Sequence, residues 1–429
     1  MKNILITNGR LIDPALGIDG KLDVALAGGK VVWTGNGHPP EGQWEIIEAE
    51  GKIVAPGFID LHCHLRQPGS EHKETIATGT QAAARGGFTT VCAMPNTDPP
   101  IDNQVATAFI LNTTAAEGAV RVLPIGCISR GRRGEQLAEL GEMAEFGVIG
   151  FSDDGSSVPS ARLLKQAMEY ASTLGLPVLE HCEEMSLAEG GQVNEGIIAT
   201  RLGLAGIPNA AEDIIVARDI ALARLTGARL HLCHISTRGA VSLIRQAKAE
   251  GIRVSAEVTP HHLTLTEARC LNYETNAKVN PPLRTSADVE ALIAGLIDGT
   301  IDAVATDHAP HTDNDKCCEF NLAPFGISGL ETAFGSLMKL VHTGRVPLEL
   351  IIEKLTAAPA RIIGGLHGIT GSLKPGDPAD VVILDPNAEW TVDISVFVSK
   401  GRNTPLAGEQ LKGQVALTIY GGKIIYQAD

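Results

Sequence analysis

The apolar run at residues 57–61 ends abruptly in two histidines one residue apart, His62 and His64. In an extended strand alternate side chains share a face, so both imidazoles point one way and Cys63 the other. Such a pair can hold a divalent cation, although by itself it is as readily two satisfied core histidines. Four later segments tip the balance. Ser152-Asp153-Asp154 follows one apolar run, Glu180-His181-Cys182-Glu183 another, Cys233-His234 a third and Thr306-Asp307-His308 a fourth. His62, His64, His181 and His234, an acid from Asp153-Asp154, and Asp307 therefore all fall at the ends of apolar runs. An N/O donor set of this kind suits Zn2+ or a similar ion. Its size suits two ions bridged by a carboxylate and a hydroxide, the arrangement that activates water.

The elements that must position these residues can be read around them. Residues 57–62, 89–95, 120–125, 148–151, 177–180, 229–232, 253–258 and 303–306 read as strands, and 160–173, 212–225 and 286–297 carry apolar residues at helical spacing. Eight β–α units over roughly 250 residues or more describe a (β/α)8 TIM barrel, in which chemistry collects at the C-terminal ends of the strands. Both flanks have the grammar of hairpins instead: alternating runs at 4–6, 24–26 and 31–33 around Gly28-Gly29, and at 381–384 and 416–426 around Gly421-Gly422. Neither flank alone can build a sound core. Residues 1–54 and 371–429 are therefore expected to fold together as a small β-sandwich domain, with the barrel, 55–370, inserted between them.

Composition narrows the class. A chain of 429 residues with 44% apolar content can bury a large core, and a formal net charge of -15 argues against a nucleic-acid partner. The opening residues read directly as a strand without a signal peptide, and no apolar run is long enough to span a bilayer, so a cytoplasmic address and no membrane partner are expected. Eight cysteines in that setting read as reduced thiols. Alternation is expected to turn Cys63, Cys182 and Cys233 away from the neighbouring histidines, whereas Cys317-Cys318 sits in a polar loop.

Eight motifs, spread over nearly the whole chain, resemble those of class I dihydroorotases in the amidohydrolase superfamily. They are GFIDLHCHLRQPG at 57–69, GGFTTVCAMPN at 86–96, GFSDDG at 150–155, HCE at 181–183, HIS at 234–236, EVTPHHL at 257–263, NPPLR at 280–284 and TDHAPH at 306–311. The resemblance implies two Zn2+ ions, one held by His62, His64 and Asp307, the other by His181 and His234, with Asp154 rather than Asp153 bridging. A carboxylated lysine bridges the metals in dihydropyrimidinases and allantoinases of the same superfamily; residues 150–155 contain no lysine. It further implies that His64, Arg66, Asn96, Asn280, His311, Phe325 and Gly326 bind substrate, Arg66 standing two residues past His64 as a guanidinium clamp for a carboxylate.

The activity so implied is the reversible cyclisation of N-carbamoyl-L-aspartate to L-dihydroorotate and water, with Asp307 as general base and then general acid. Two other readings are weighed against it: a dihydropyrimidinase or allantoinase, and an inactive scaffold for aspartate transcarbamoylase. The chain retains all six ligands, which disfavours the scaffold. A homo-oligomer, with aspartate transcarbamoylase as a partner, is expected. His72, His231, His261, His262, His308, His342 and His367 read as structural or supporting, and 311–320 reads as a polar loop that could close over the substrate.

Overall fold

The structure is a computed structural model that describes residues 2–37, 39–365 and 368–428. His367 lies outside the described residues.

The segments expected as strands of the middle region pair in parallel, in chain order. Phe58–Cys63 pairs with Phe88–Ala93, which pairs with Arg121–Pro124. Val178–Glu180 pairs with Leu230–Leu232, then Val254–Val258, then Ala303–Val304. The expected strand at 148–151 is reduced to single bridges from Phe151, to Gly126 on one side and Val178 on the other. Its backbone is nonetheless satisfied: Phe151 N–H donates to Pro177 O at 3.1 Å and Ser152 N–H to Gly126 O at 2.8 Å. A bridge from Cys63 to His308, and a hydrogen bond from His64 N–H to His308 O at 2.8 Å, bring the pairing back to its first strand.

Ile59, Leu61, Cys92, Leu123, Ile149, Leu179, Ala303 and Ala305 form one buried cluster, drawn from most of these segments. A larger cluster lies between the strands and their helices. The helices start where side chains can satisfy their free N–H groups. Ser160 caps Ala161–Thr173 by accepting from Leu163 N–H at 3.3 Å. Thr285 and Asp288 form a reciprocal capping box on Ser286–Asp298.

The flanks form two sheets. One has four strands, in the order Lys30–Gly35, Asp23–Ala27, Ile4–Thr7, Glu45–Glu48. The other has six: Lys423–Gln427, Gln410–Tyr420, Val381–Thr391, Ile53–Pro56, Arg10–Asp13 and Ile18–Lys21. The second therefore joins strands from both ends of the chain. Ile4, Ile6, Val24 and Leu26 from the first sheet share one buried cluster with Leu11, Val54, Val381 and Ile419 from the second. Both hairpins anticipated at glycine pairs turn through consecutive left-handed residues, Gly28 and Gly29 at φ 59° and 76°, and Gly421 and Gly422 at 54° and 77°. That conformation suits the right-handed twist of the flanking strands and costs glycine little.

Candidate active site

At the ends of the parallel strands the backbone leaves extended geometry abruptly. Arg66, His234 and Asp307 have φ of 60°, 33° and 45°. Positive φ is costly for such residues, and the turn it makes brings each side chain to a common mouth. Asp60 braces this arrangement from below. It accepts from Thr306 N–H at 2.8 Å and Thr306 Oγ1 at 2.5 Å, and its burial pushes its carboxyl up to about 7.

Asp154 and Asp307 stand among the histidines. His62 Nε2 lies 3.3 Å from Asp154 Oδ1 and 3.6 Å from Asp307 Oδ1. His64 Nε2 lies 3.1 Å from Asp307 Oδ1 and 3.6 Å from Asp154 Oδ2. His234 Nε2 is 3.6 Å from Asp154 Oδ1 and 3.0 Å from His181 Nδ1; His181 Nδ1 is itself 3.9 Å from Asp154 Oδ1. The six residues named from the sequence as ligands thus converge, all buried. Asp153 turns elsewhere, accepting from the N–H groups of Ile128 and Ser129, both at 3.0 Å, and from the Ser129 hydroxyl.

Burial by itself would raise the carboxyl of Asp154, but His62, His234 and His64 hold it well below its ordinary value. Asp307 is held down in the same way, against burial, by His64 and His62. His62 shows the converse: burial disfavours its charge, yet Asp154 and Glu257 raise it well above an ordinary imidazole.

The donor set fits a metal. His62 Nε2 and Asp154 Oδ1, 3.3 Å apart in the cluster, are both buried without a hydrogen-bond partner. Buried polar atoms are normally satisfied, so two unsatisfied ones side by side fit a site built for a cation. Donor atoms of His62, His64 and Asp307 lie within 4.8 Å of one another, as do those of His62, Asp154 and His234. His62 is oriented from behind by Glu257, whose Oε1 is 2.9 Å from Nδ1. Glu257 also accepts from His231 at 3.1 Å, which is the outer-shell support a ligand imidazole requires.

Cys233 packs in the buried cluster with Ile59 and Leu61, and its sulfur lies with a His62 nitrogen and a Glu257 oxygen in a third group within 4.8 Å. The sixth strand ends at Leu232, and His234 reaches the mouth through its positive φ rather than by alternation, so the face argument does not apply past the strand end.

Arg66, Asn96, Asn280, Phe325 and Gly326 line a cavity of about 180 Å³ at this cluster, while His311 is not in its lining and stands behind Arg66 and Phe325. Asn96 Oδ1 is 2.8 Å from His64 Nδ1, and its amide donates to Asp154 Oδ2 at 3.4 Å. Arg66 Nη2 lies 3.5 Å from His311 Nε2, which is 2.8 Å from Phe325 O. Asn280 donates to Glu183 at 3.1 Å, leaving its own Oδ1 buried without a partner. Gly326, at φ 143°, has no room for a side chain: a Cβ there would meet Ala309 O at 2.7 Å and His311 Nε2 at 3.0 Å.

Several residues that hold the mouth together were missed. Asn403, from the C-terminal flank, accepts from His311 N–H at 2.8 Å and donates to Ala309 O at 3.1 Å and Gly326 O at 2.9 Å, welding two mouth segments. Lys278 is buried with its ammonium 4.7 Å from the centre of the Phe325 ring and 2.7 Å from Phe320 O. Lys316, expected in a solvated loop, is only 5% exposed and donates to Thr275 O, Lys278 O and Pro324 O at 3.0, 3.3 and 2.7 Å. The loop is therefore docked on the mouth, with a short helix, Asp313–Lys316, in it. A polar run with one lysine carries no signal for this, since lysine is rarely buried.

This fold and site are those of the amidohydrolase class. The whole chain superposes on L-hydantoinase (dihydropyrimidinase) from Arthrobacter aurescens, with TM-score 0.88, 26% identity and 96% of that chain covered. A D-hydantoinase structure gives TM-score 0.85 at 25% identity, covering 100% of this chain and 95% of that one. Residues 51–240 match the family described as Dihydro-orotase-like. The dihydroorotase of Citrifermentans bemidjiense is 50% identical over 427 residues, 99% of this chain and 100% of the relative, and that of Pelotomaculum thermopropionicum is 51% identical over 426 residues, covering 99% and 98%. The chain belongs to the dihydroorotase family.

Proposed function

We propose that this chain catalyses the reversible interconversion of N-carbamoyl-L-aspartate and L-dihydroorotate, run toward ring closure in pyrimidine synthesis, as a class I dihydroorotase. One observation carries the reading: a buried His/Asp donor set with unpartnered atoms shares its cavity with Arg66, whose side chain is in the lining. Half-identity to dihydroorotases along the full chain supports it. A neutral-ring hydrolase like the hydantoinase neighbours would have no use for Arg66, and residues 150–155 lack the lysine such enzymes use.

In this reading His62, His64 and Asp307 would hold one Zn2+, and His181 and His234 a second, with Asp154 a ligand shared by the two. When bound, such ions lower the pKa of water toward about 7 and polarise a carbonyl. Arg66, Asn96 and His311 grip the substrate carboxylate, while Asn280 and the backbone at Phe325-Gly326 hold the ring edge. Asp307 accepts the proton of the attacking water and delivers it to the departing ring nitrogen. In the direction of synthesis it takes that proton from the ureido nitrogen and returns it to the leaving water. Burial of Asp307 at 4% exposure keeps bulk water from short-circuiting the transfer.

The proposal extends to the architecture: the parallel strands form a (β/α)8 barrel over 55–370, with 1–54 and 371–429 as one β-sandwich domain. It also includes a cytoplasmic homo-oligomer that can partner aspartate transcarbamoylase. The test is a side-by-side assay of the purified chain on dihydroorotate, dihydrouracil and hydantoin. The reading expects dihydroorotate to be preferred by at least about 100-fold in kcat/KM, the scale of losing a charge-assisted hydrogen bond at a desolvated site. Comparable turnover of all three rings would sink it.

A further inference from the structure

Arg66 and His311 face each other in a way that hydrogen bonding between them cannot explain. The two nitrogens are 3.5 Å apart, and a guanidinium nitrogen can only donate. Whether His311 Nε2 donates or accepts depends on its other nitrogen, and that nitrogen has a partner. Lys73 Nζ lies 3.3 Å from His311 Nδ1. An ammonium has donors and no acceptor, so Nδ1 must be the bare nitrogen of the ring. In a neutral imidazole the proton is then on Nε2, which fits the 2.8 Å approach of Phe325 O, an acceptor. The ring is neutral at working pH: burial, followed by the positive charges of Arg66, Lys316 and Lys73, pushes its pKa down to about 2.

We propose that Lys73 is a positioning residue that fixes His311 as an Nε2–H donor, so that Arg66 and His311 present two donors to one substrate carboxylate. Two donors pointed at one another do not bond, but a carboxylate oxygen set against both accepts from each, sharing the single Nε2–H of His311 with Phe325 O. His311 is held at its backbone by Asn403, and its ring is set from both sides, by Lys73 at Nδ1 and by Phe325 O at Nε2. The inference rests on the dihydroorotase reading of this mouth. The ordinary alternative for Lys73 is its ion pair with Asp315, 3.6 Å away with both side chains partly exposed. Pairs of that kind contribute little. Asp315 Oδ2 is 3.9 Å from His311 Nδ1, too far to replace the lysine as its partner.

The experiment uses the full-length zinc protein, 15N-labelled at histidine, with Lys73→Met, Lys73→Arg and Asp315→Asn. Nitrogen shifts of the His311 ring, assigned with His311→Gln, report the tautomer without substrate; steady-state kinetics on dihydroorotate report its use. In the wild type the proton is expected on Nε2 alone. Lys73→Met should populate the Nδ1–H form and raise KM about 10- to 100-fold, with kcat within about threefold, the range for losing a hydrogen bond to a charged group. Lys73→Arg should restore most of both, and Asp315→Asn should leave KM within about threefold. The proposal is overturned if Lys73→Met keeps the Nε2–H ring, if kcat falls in step with a lost melting temperature while KM holds, or if Asp315→Asn reproduces the KM change. An Nε2–H ring in a wild-type protein that does not turn over dihydroorotate would refute the functional reading instead, and leave the link from Lys73 to His311 standing.

Discussion

Replacing Asp307 by asparagine keeps the volume and one acceptor oxygen but removes the ability to take up a proton. The side chain it alters is 4% exposed, 3.1 Å from His64 Nε2 and 3.6 Å from His62 Nε2, so bulk solvent has little access to substitute as a base at that point. Asp154 is already shared among His62, His64 and His234, and Glu257 sits on the far side of the His62 ring, 2.9 Å from Nδ1. The loss should therefore be that of a whole general acid–base group, roughly 10²–10⁴-fold in kcat, or about 2.7–5.4 kcal/mol in the barrier. The assay is turnover in both directions, with metal content by elemental analysis and far-ultraviolet circular dichroism on the same sample. Turnover within about threefold of the wild type, with metal bound and the fold intact, would show that the proton does not pass through Asp307.

Arg66→Met should cost on the order of 1.5–3 kcal/mol, or about 10- to 150-fold in kcat/KM, on dihydroorotate and leave the weak rate on dihydrouracil within about threefold; equal losses on both rings would refute a role in carboxylate recognition. Glu257 supplies a pH test in the metal-free protein. Burial would raise its carboxyl, but hydrogen bonds from His231 and His62 hold it at about 2, against 4.5 ordinarily. The native state thus binds fewer protons than the unfolded one, and the stability this contributes is present above about pH 4.5 and lost as the pH falls toward 2. The difference in melting temperature between wild type and Glu257→Gln should narrow over that interval; a constant difference would contradict the assignment.

What the sequence revealed and what it hid follow from the range of the interactions. The His-X-His pair and the acids at Asp154 and Asp307 stand out because each marks a local change from apolar to polar at a strand end, and glycine pairs announce their hairpins through a conformation few other residues adopt. The fourth strand, legible at 148–151, is shorter than its sequence suggests, pairing on both sides only through Phe151. Asn403 has no local signal at all. It acts on His311, 92 positions earlier, and in isolation an asparagine before a threonine and a proline reads as a turn. Lys316 and Lys278 mislead for the opposite reason, since composition predicts exposed ammonium groups where tertiary carbonyls have gathered to receive them. His234 marks where an alternation rule must stop, since it lies past the end of its strand and reaches the mouth through its positive φ.

The central claim, that the buried His/Asp cluster is a metal centre on which the activity depends, is tested most directly by titrating Zn2+ into chelator-stripped protein while following dihydroorotate turnover and proton release together. Because Asp154 and Glu257 raise His62 above an ordinary imidazole in the metal-free site, a metal there competes with protons for the ring. Turnover should rise from background with the first one to two equivalents, with a proton released per site and apparent affinity weakening as the pH is lowered. Full activity in stripped protein that stays metal-free, or saturable Zn2+ binding undiminished by His62→Ala and Asp154→Ala, would contradict the account.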